Sequence, residues 1–184
     1  MILLAITPGL GFDPSAWRPV LTSGVDAFLI REKQMPTRGL LGAVRWCQDL
    51  APHVELWVAG RLEVACATGC GLHGAEADPE VGPGLVPVSR PLHEEGQWEA
   101  RRDADQLLIS PVFASPGKGA PWGPGRFRRF LDELPASGPR LLALGGVTPE
   151  NAPLLRHLRL AGIAAIRPFW EGKPEEAVAR FRRD

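Results

Sequence analysis

The sequence predicts an α/β fold of eight strand–helix units, a compact (β/α)₈ barrel that occupies residues 1–184 as one domain. Short apolar runs alternate with amphipathic or Gly/Pro-rich stretches along the whole chain. The runs are continuously apolar, which is typical of parallel strands covered on both faces. Since such barrels usually have about 250 residues, a chain of 184 residues predicts a reduced one. An open doubly wound sheet is the alternative architecture.

Eight apolar segments are predicted as strands, because each has the length of a buried strand and is bounded by turn-forming residues. In chain order they are residues 2–7, 26–33, 54–60, 71–75, 85–91, 106–113, 140–147 and 163–170.

The segments between the strands predict the outer helices. In residues 37–50, Leu40 and Val44 fall at helical spacing after Thr37 as the N-cap. Thr148 is the predicted N-cap of the helix that follows the seventh strand. The breakers after the fourth strand predict a reduced connection without a full helix. The remaining predicted helices are residues 14–24, 61–69, 93–103, 124–134 and 173–183.

The composition bounds the classes of partner. Twenty-one basic and 21 acidic residues give a net charge of zero, so no overall field favours nucleic acid or an acidic membrane surface. No apolar run approaches the roughly 20 residues that span a bilayer, and the N-terminal segment lacks a basic leader. We therefore expect a cytoplasmic protein without an organic cofactor, and the sequence leaves a homo-oligomer open.

Polar residues at the predicted carboxyl ends of the strands indicate an anionic substrate, because the active site of such a barrel lies there. Cations follow five of the eight strands. They are Arg31, Lys33, Arg61, Arg90, Lys118 and Arg167.

The seventh strand ends in "LGGVTPEN", which contains Gly145 and Gly146. Glycines let backbone N–H groups approach a ligand closely, and a following helix N-terminus favours an anion. Barrels often bind phosphate between the loops after strands 7 and 8, which adds Arg167. The same pattern also suits a tight turn that only connects strand to helix.

The loop "SPVFASPGKGAPWG", residues 110–123, carries Lys118 among several glycines and prolines. It lacks the spacing of a phosphate-binding P-loop. A lid that holds Lys118 over an anion is one interpretation, and a surface turn is the other.

Acidic and imidazole side chains follow the fourth strand. Glu76 and Asp78 are candidate Mg²⁺ ligands near a diphosphate, or else a solvated pair. His73 ends the same strand. For the other three histidines, including His93, we expect a surface or packing role.

Five of these motifs, in this order, resemble the thiamine-phosphate synthase/TenI family of (β/α)₈ barrels. They are "IREK", "GLHGAEAD", "VS" at Ser89, "SPVFASPGK" and "ALGGV". The resemblance implies that Arg31 and Lys33 bind a pyrimidine diphosphate and that Asp78 is a Mg²⁺ ligand. It matches Ser115 and Lys118 to a threonine and a substrate-contacting lysine, and Ser89 to the serine after the fifth strand, with Lys118 and Ser89 as candidate catalytic residues.

The resemblance implies one of two activities. A synthase couples an aminopyrimidine diphosphate to a thiazole phosphate and releases pyrophosphate, mostly by electrostatic stabilisation and alignment. A TenI-type member instead shifts a thiazole phosphate tautomer by acid–base catalysis.

Three departures from the family pattern bear on this choice. Ala59 and Gly60 stand where the synthases carry Asn-Asp, and the Asp is a metal ligand there. Pro111 replaces the histidine of TenI-type tautomerases, which makes His73 or Glu76 the candidate base. Arg167 and Pro168 replace a small Ser-Ala pair.

The missing metal ligand favours a TenI-like protein that binds thiazole phosphate, with the synthase as the first alternative. In the synthase Mg²⁺ is expected, and a non-catalytic phosphate-binding barrel is the third interpretation.

Overall fold

The computed structural model describes residues 1–75 and 84–183. Within these residues, eight parallel strands form a barrel in chain order, and the last strand closes on the first. The strands are β1 (Ile2–Ile6), β2 (Ala27–Ile30), β3 (Glu55–Ala59), β4 (Gly71–His73), β5 (Val88–Leu92), β6 (Gln106–Ile109), β7 (Arg140–Ala143) and β8 (Gly162–Ala165). The predicted (β/α)₈ barrel is confirmed, and the open sheet is excluded.

Helices cover the outside of the barrel. They are α1 (Pro14–Leu21), α2 (Thr37–Leu50), α3 (Leu62–Thr68), α4 (Trp98–Arg101), α5 (Pro124–Glu133), α6 (Arg167–Trp170) and α7 (Pro174–Arg182). Asp13 caps α1 by accepting the Ser15 N–H at 2.8 Å, and Pro14 takes the first helical position. Among the described helices, none combines the length and the apolar character needed to cross a membrane.

Two predicted segments differ in type from the observed ones. The predicted strand 163–170 ends at Ala165, and its second half forms α6, because Pro168 has no N–H for a strand ladder but suits the first turn of a helix. The predicted helix 148–162 contains only a 3₁₀ turn, Ala152–Leu155. The segment before that turn is instead held by bonds of the Asn151 side chain.

All eight predicted strands are also longer than the observed ones. The second ends at Ile30 and the sixth at Ile109, several residues earlier than expected. The predicted reduced connection after β4 lies largely outside the described residues.

Side chains alternate between the barrel interior and the helix layer, as the period of a strand requires. In β1, Leu4 and Ile6 point into the interior, whereas Leu3 and Ala5 pack in the layer that contacts the helices. The buried residues of the interior cluster are Leu4, Ile6, Ala27, Leu29, Trp57, Leu108, Leu142 and Ala164.

An ion pair joins the opposite strands β3 and β7 near the amino-terminal end of the barrel. Arg140 donates to Glu55 through two bonds of 2.6 and 2.9 Å, and this bonding raises the pKa of Arg140. The guanidinium carbon lies 5.7 Å from the ring centre of Trp57. The ring of Trp57 lies so close to Gly71 that a Cβ there would stand 2.3 Å from it. The interior is thus filled at this end.

Candidate active site

A cavity of about 1000 Å³ opens at the carboxyl ends of the strands. Its floor includes interior residues such as Ile6, Leu29 and Leu108. Nine of the predicted site residues line it. They are Arg31, Lys33, Arg61, His73, Ser115, Lys118, Gly145, Gly146 and Arg167.

Three cations stand together at the ends of β2 and β3. Arg31 and Lys33 follow β2, and Arg61 follows β3; all three line the cavity. Arg61 Nη2 donates to the Met35 carbonyl and Nη1 to Thr37 Oγ1, both at 3.2 Å. These bonds hold the Arg61 guanidinium against the loop that carries the other two cations. We call Arg31, Lys33 and Arg61 the β2–β3 cation group.

Glu32 lies between Arg31 and Lys33 in sequence, but its carboxylate bonds to the loop after β1. Glu32 is 5% exposed and accepts the backbone N–H groups of Gly9 and Gly11 at 3.1 and 2.7 Å. It therefore fixes the loop after β1, and among the described residues no carboxylate forms an ion pair with Arg31 or Lys33.

Behind the cavity, His73 contacts a buried polar network. Its Nδ1 lies 3.0 Å from Ser89 Oγ, and that hydroxyl accepts Gln106 Nε2 at 3.4 Å. Ser89 is fully buried and does not line the cavity. Its catalytic role stays a prediction; in this geometry Ser89 contacts His73 and does not reach the cavity.

Arg90 also lies outside the lining, contrary to its predicted place among the substrate-facing cations. Its side chain passes over Gly74, and Nη1 donates to the Ala75 carbonyl at 3.1 Å. The reason is strand alternation: Arg90 lies within β5 on the same face as Leu92, which packs in the helix layer, whereas Pro91 lines the cavity.

The loop after β6 is docked onto the end of β7 by backbone bonds. Val112 N–H donates to the Leu144 carbonyl at 2.9 Å, and Phe113 N–H to the Gly145 carbonyl at 3.0 Å. The loop returns through the Trp122 N–H, which donates to the Pro111 carbonyl at 2.9 Å. Anchored at both ends, it carries Ser115 and the exposed Lys118 along the cavity.

The glycine pair after β7 has a conformation that other residues rarely adopt. Gly145 has φ +87° and Gly146 has φ +65°. A Cβ on Gly146 would lie 2.4 Å from the Ala114 carbonyl oxygen, and one on Gly145 would lie 2.6 Å from Pro111 Cα. Contact with the docked loop, which the sequence did not reveal, is therefore a second reason for glycine here.

The backbone N–H groups of the same pair are available to a ligand. Neither Gly145 nor Gly146 donates its N–H to an acceptor within the described chain. Asn151 holds the turn by accepting the Thr148 N–H at 2.9 Å and donating to the Gly146 carbonyl at 2.8 Å. Successive unpaired N–H groups in a fixed turn are a favourable arrangement for an anion.

Further cations stand on this side of the cavity, around β8 and α7. Arg167 is exposed and begins α6, which is fixed to the barrel by a 2.8 Å bond from Trp170 Nε1 to the Ile6 carbonyl. Lys173 lines the cavity too, so all three lysines of the chain do. Lys173 is paired with Glu176 at 2.8 Å. We call Gly145, Gly146, Lys118 and Arg167 the β6–β8 anion group.

His93 is a cavity residue that the sequence did not identify. Its Nδ1 lies 2.8 Å from the Ser110 carbonyl oxygen and 3.3 Å from Ser110 Oγ. Because a carbonyl only accepts, Nδ1 carries the proton, and Nε2 is the basic nitrogen of the neutral ring. The expected surface or packing role of His93 stays a prediction, and its place in the cavity lining is an addition to it. The signal was its position directly after β5, which we placed one residue too early.

The described residues do not fit a Mg²⁺ site of the kind that the family implies. Mg²⁺ prefers oxygen ligands, mostly carboxylates and water. Ala59 and Gly60 at the end of β3 offer no side-chain oxygen, and Arg61 brings a positive charge. No group of three potential metal ligands exists in the described part of the chain. Asp78 and Glu76 lie outside it, so the predicted metal ligand and the predicted base there stay predictions.

Comparison with known proteins identifies the family. A family model described as thiamine monophosphate synthase matches residues 12–169. The chain belongs to this family. The resemblance found in its motifs is thereby confirmed.

Relatives in the family carry the same name. A thiamine-phosphate synthase of Albidiferax ferrireducens is 34% identical over 156 residues, covering 76% of this chain and 67% of the relative. One of Methanoculleus marisnigri is 30% identical, covering 91% and 84%.

Solved structures of the family share the barrel. The thiamine phosphate pyrophosphorylase of Pyrococcus furiosus matches 98% of this chain and 93% of its own with a TM-score of 0.83, at 22% identity. The protein of the same name from Bacteroides thetaiotaomicron gives a TM-score of 0.77 at 14% identity, covering 99% and 96%.

Proposed function

We propose that the protein is a thiamine-phosphate synthase that couples an aminopyrimidine diphosphate to a thiazole phosphate and releases pyrophosphate. One observation carries the proposal: a single cavity has anion-binding groups on two opposite sides. The β2–β3 cation group and the β6–β8 anion group lie across an eight-stranded barrel from each other. A reaction between two phosphorylated substrates needs both, whereas a tautomerase needs one. The names of the relatives favour the same alternative over the TenI-like interpretation.

The β2–β3 cation group suits the diphosphate. A diphosphate carries several negative charges, and Arg31, Lys33 and Arg61 bring three positive charges to one part of the rim. Guanidinium groups bind phosphate oxygens in pairs, which fixes orientation as well as charge.

The β6–β8 anion group suits the single phosphate of the thiazole. The N–H groups of Gly145 and Gly146 would bind its oxygens, with Lys118 from the docked loop and Arg167 from α6 beside them. Asn151 is a positioning residue, because its side chain holds the turn that orients these N–H groups.

The chemistry requires little of the protein beyond charge and alignment. The C–O bond between the pyrimidine methylene carbon and the diphosphate breaks, and its electron pair stays on the departing oxygen. The cations stabilise that charge. The thiazole nitrogen, held in the same cavity, then forms the new C–N bond.

The test is incubation of the purified protein with both substrates, followed by mass spectrometry for thiamine phosphate. We expect product only when both substrates are present, and an Arg31→Gln variant should lose most of the rate. Binding of both substrates without any product would contradict the proposal and support the non-catalytic barrel.

His93 supports thiazole phosphate tautomerisation as a second candidate function. Its imidazole lines the cavity and is bonded to Ser110, the residue before Pro111, where the resemblance places the TenI histidine. His93 thus offers a base beside Pro111, the position where the family's tautomerases carry a histidine. In the neutral ring, its Nε2 is the unprotonated nitrogen.

Proton exchange tests this second candidate. With thiazole phosphate alone in D₂O, we expect deuterium at the carbon that the tautomerisation protonates, and none with His93→Gln. Unchanged exchange in that variant would exclude His93 as the base. The predicted cytoplasmic location and a homo-oligomer remain predictions.

A further inference from the structure

Arg61 stands at the place in the barrel where the described residues offer no metal ligand. It follows directly on Ala59 and Gly60, and its side chain lines the cavity at 30% exposure. The sequence therefore puts a permanent positive charge next to the end of β3, where a carboxylate and a divalent cation would otherwise combine.

The protein positions the Arg61 guanidinium, but the described residues accept only some of its hydrogen bonds. The guanidinium has five N–H groups. Within the described chain, one donates to the Met35 carbonyl and one to Thr37 Oγ1. The remaining three have no acceptor among the described residues. Both acceptors belong to the β2–α2 segment, so Arg61 is held at the same rim as Arg31 and Lys33.

The charge of Arg61 is only weakly compensated. Its ion-pair partner among the described residues is Glu63, whose carboxylate lies 3.7 Å from Nη1 and is 56% exposed. Exposed pairs at such distances contribute little. Glu32, which lies between Arg31 and Lys33 in sequence, accepts the N–H groups of Gly9 and Gly11.

We propose that Arg61, with Arg31 and Lys33, forms a diphosphate subsite that binds pyrophosphate without a divalent cation. The inference rests on the proposed function, because a synthase needs such a subsite. The planar guanidinium binds two phosphate oxygens at once, and its charge stabilises the oxygen that receives the electron pair of the breaking C–O bond. No co-reactant enters this step.

Calorimetric titration with inorganic pyrophosphate tests the subsite without turnover. The wild-type protein is titrated in EDTA and then in excess Mg²⁺. We expect saturable binding in EDTA, with affinity changing less than about tenfold when Mg²⁺ is added. Binding that appears only with Mg²⁺ would overturn the proposal and assign the diphosphate to residues outside the described chain.

Variants assign the binding to Arg61. In EDTA, Arg61→Gln should weaken pyrophosphate binding roughly 10- to 100-fold, the range of a charged hydrogen bond. Arg61→Lys keeps the positive charge but loses the planar guanidinium donors, and it should weaken pyrophosphate binding less. The control is Arg38→Gln, since Arg38 is exposed on α2 and outside the cavity lining. Equal affinity of Arg61→Gln and wild type would overturn the assignment.

The design separates this inference from the proposed function. If the protein binds pyrophosphate in EDTA but makes no thiamine phosphate, the subsite proposal holds and the proposed synthase function is contradicted. If product formation stops in EDTA and no pyrophosphate binds there, the proposed synthase function holds and the metal-free subsite is contradicted. If Arg61→Gln fails to fold, as shown by its thermal unfolding, the wild-type titrations decide alone.

Discussion

Lys118 is one of only three lysines in the chain, and its loop is docked beside the glycine turn after β7. If it binds the thiazole phosphate, Lys118→Ala should weaken binding of that ligand by about 1.5 kcal/mol. This is the lower end for a charged hydrogen bond, because the side chain is exposed. Lys118→Arg keeps the charge and should lose less. Calorimetric titration with thiazole phosphate measures both, and unchanged affinity in Lys118→Ala would make the loop a surface turn.

Single residues were predictable from the sequence where they lie in the segment after a strand. Arg31, Lys118 and Arg167 line the cavity as expected, because their place after an apolar run fixes their end of the barrel. His93 lines the cavity and Arg90 does not, because β5 ends at Leu92 and strand alternation turns Arg90 to the face of Leu92. Which residue ends a strand depends on hydrogen bonding to the neighbouring strands, and the amino-acid sequence alone does not show this pairing.

Among the elements, the turn after β7 and the loop after β6 depend on each other. Gly146→Ala puts a methyl group 2.4 Å from the Ala114 carbonyl oxygen, so the loop must shift. The matched control is Gly117→Ala in that loop, with a similar φ of +71° but open space around its Cβ. Strain alone should cost Gly117→Ala roughly 1–2 kcal/mol of unfolding free energy. The overlap should cost Gly146→Ala roughly 1–3 kcal/mol more.

Chemical denaturation of the two glycine variants gives the difference, and titration with thiazole phosphate shows whether the turn still binds. We expect Gly146→Ala to bind poorly and Gly117→Ala to bind nearly as wild type. Equal stability and equal binding of the two would show that the docked loop does not determine the turn.

The existence and order of the strands were predictable, and their ends were not. Residues such as Val112 and Phe169 are buried although they lie in a loop and a helix. Burial of these residues against the barrel gives them the apolar character of strand residues, and this lengthened the predicted sixth and eighth strands. The helix expected after β7 was wrong for a different reason, since Asn151 bonds hold a turn there instead.

At the scale of the whole molecule, the two ends of the barrel differ. Trp57, with the Glu55–Arg140 pair, fills the interior near the amino-terminal end, and the space for a ligand lies at the carboxyl ends. The sequence predicted this polarity through the cations after its strands. The cations alone did not predict their separation into two groups. The family resemblance implied two anion sites, and closure of the barrel explains their separation, since it puts β2 and β3 across from β6 and β7.

The central claim is that one cavity holds two anions at once, and a competition titration tests it most directly. Thiazole phosphate is titrated into the protein alone and into the protein saturated with inorganic pyrophosphate. The two-site account predicts that both ligands bind together, with thiazole phosphate affinity changing less than about tenfold. Displacement of one ligand by the other in a competitive manner would show a single anion site and contradict the account.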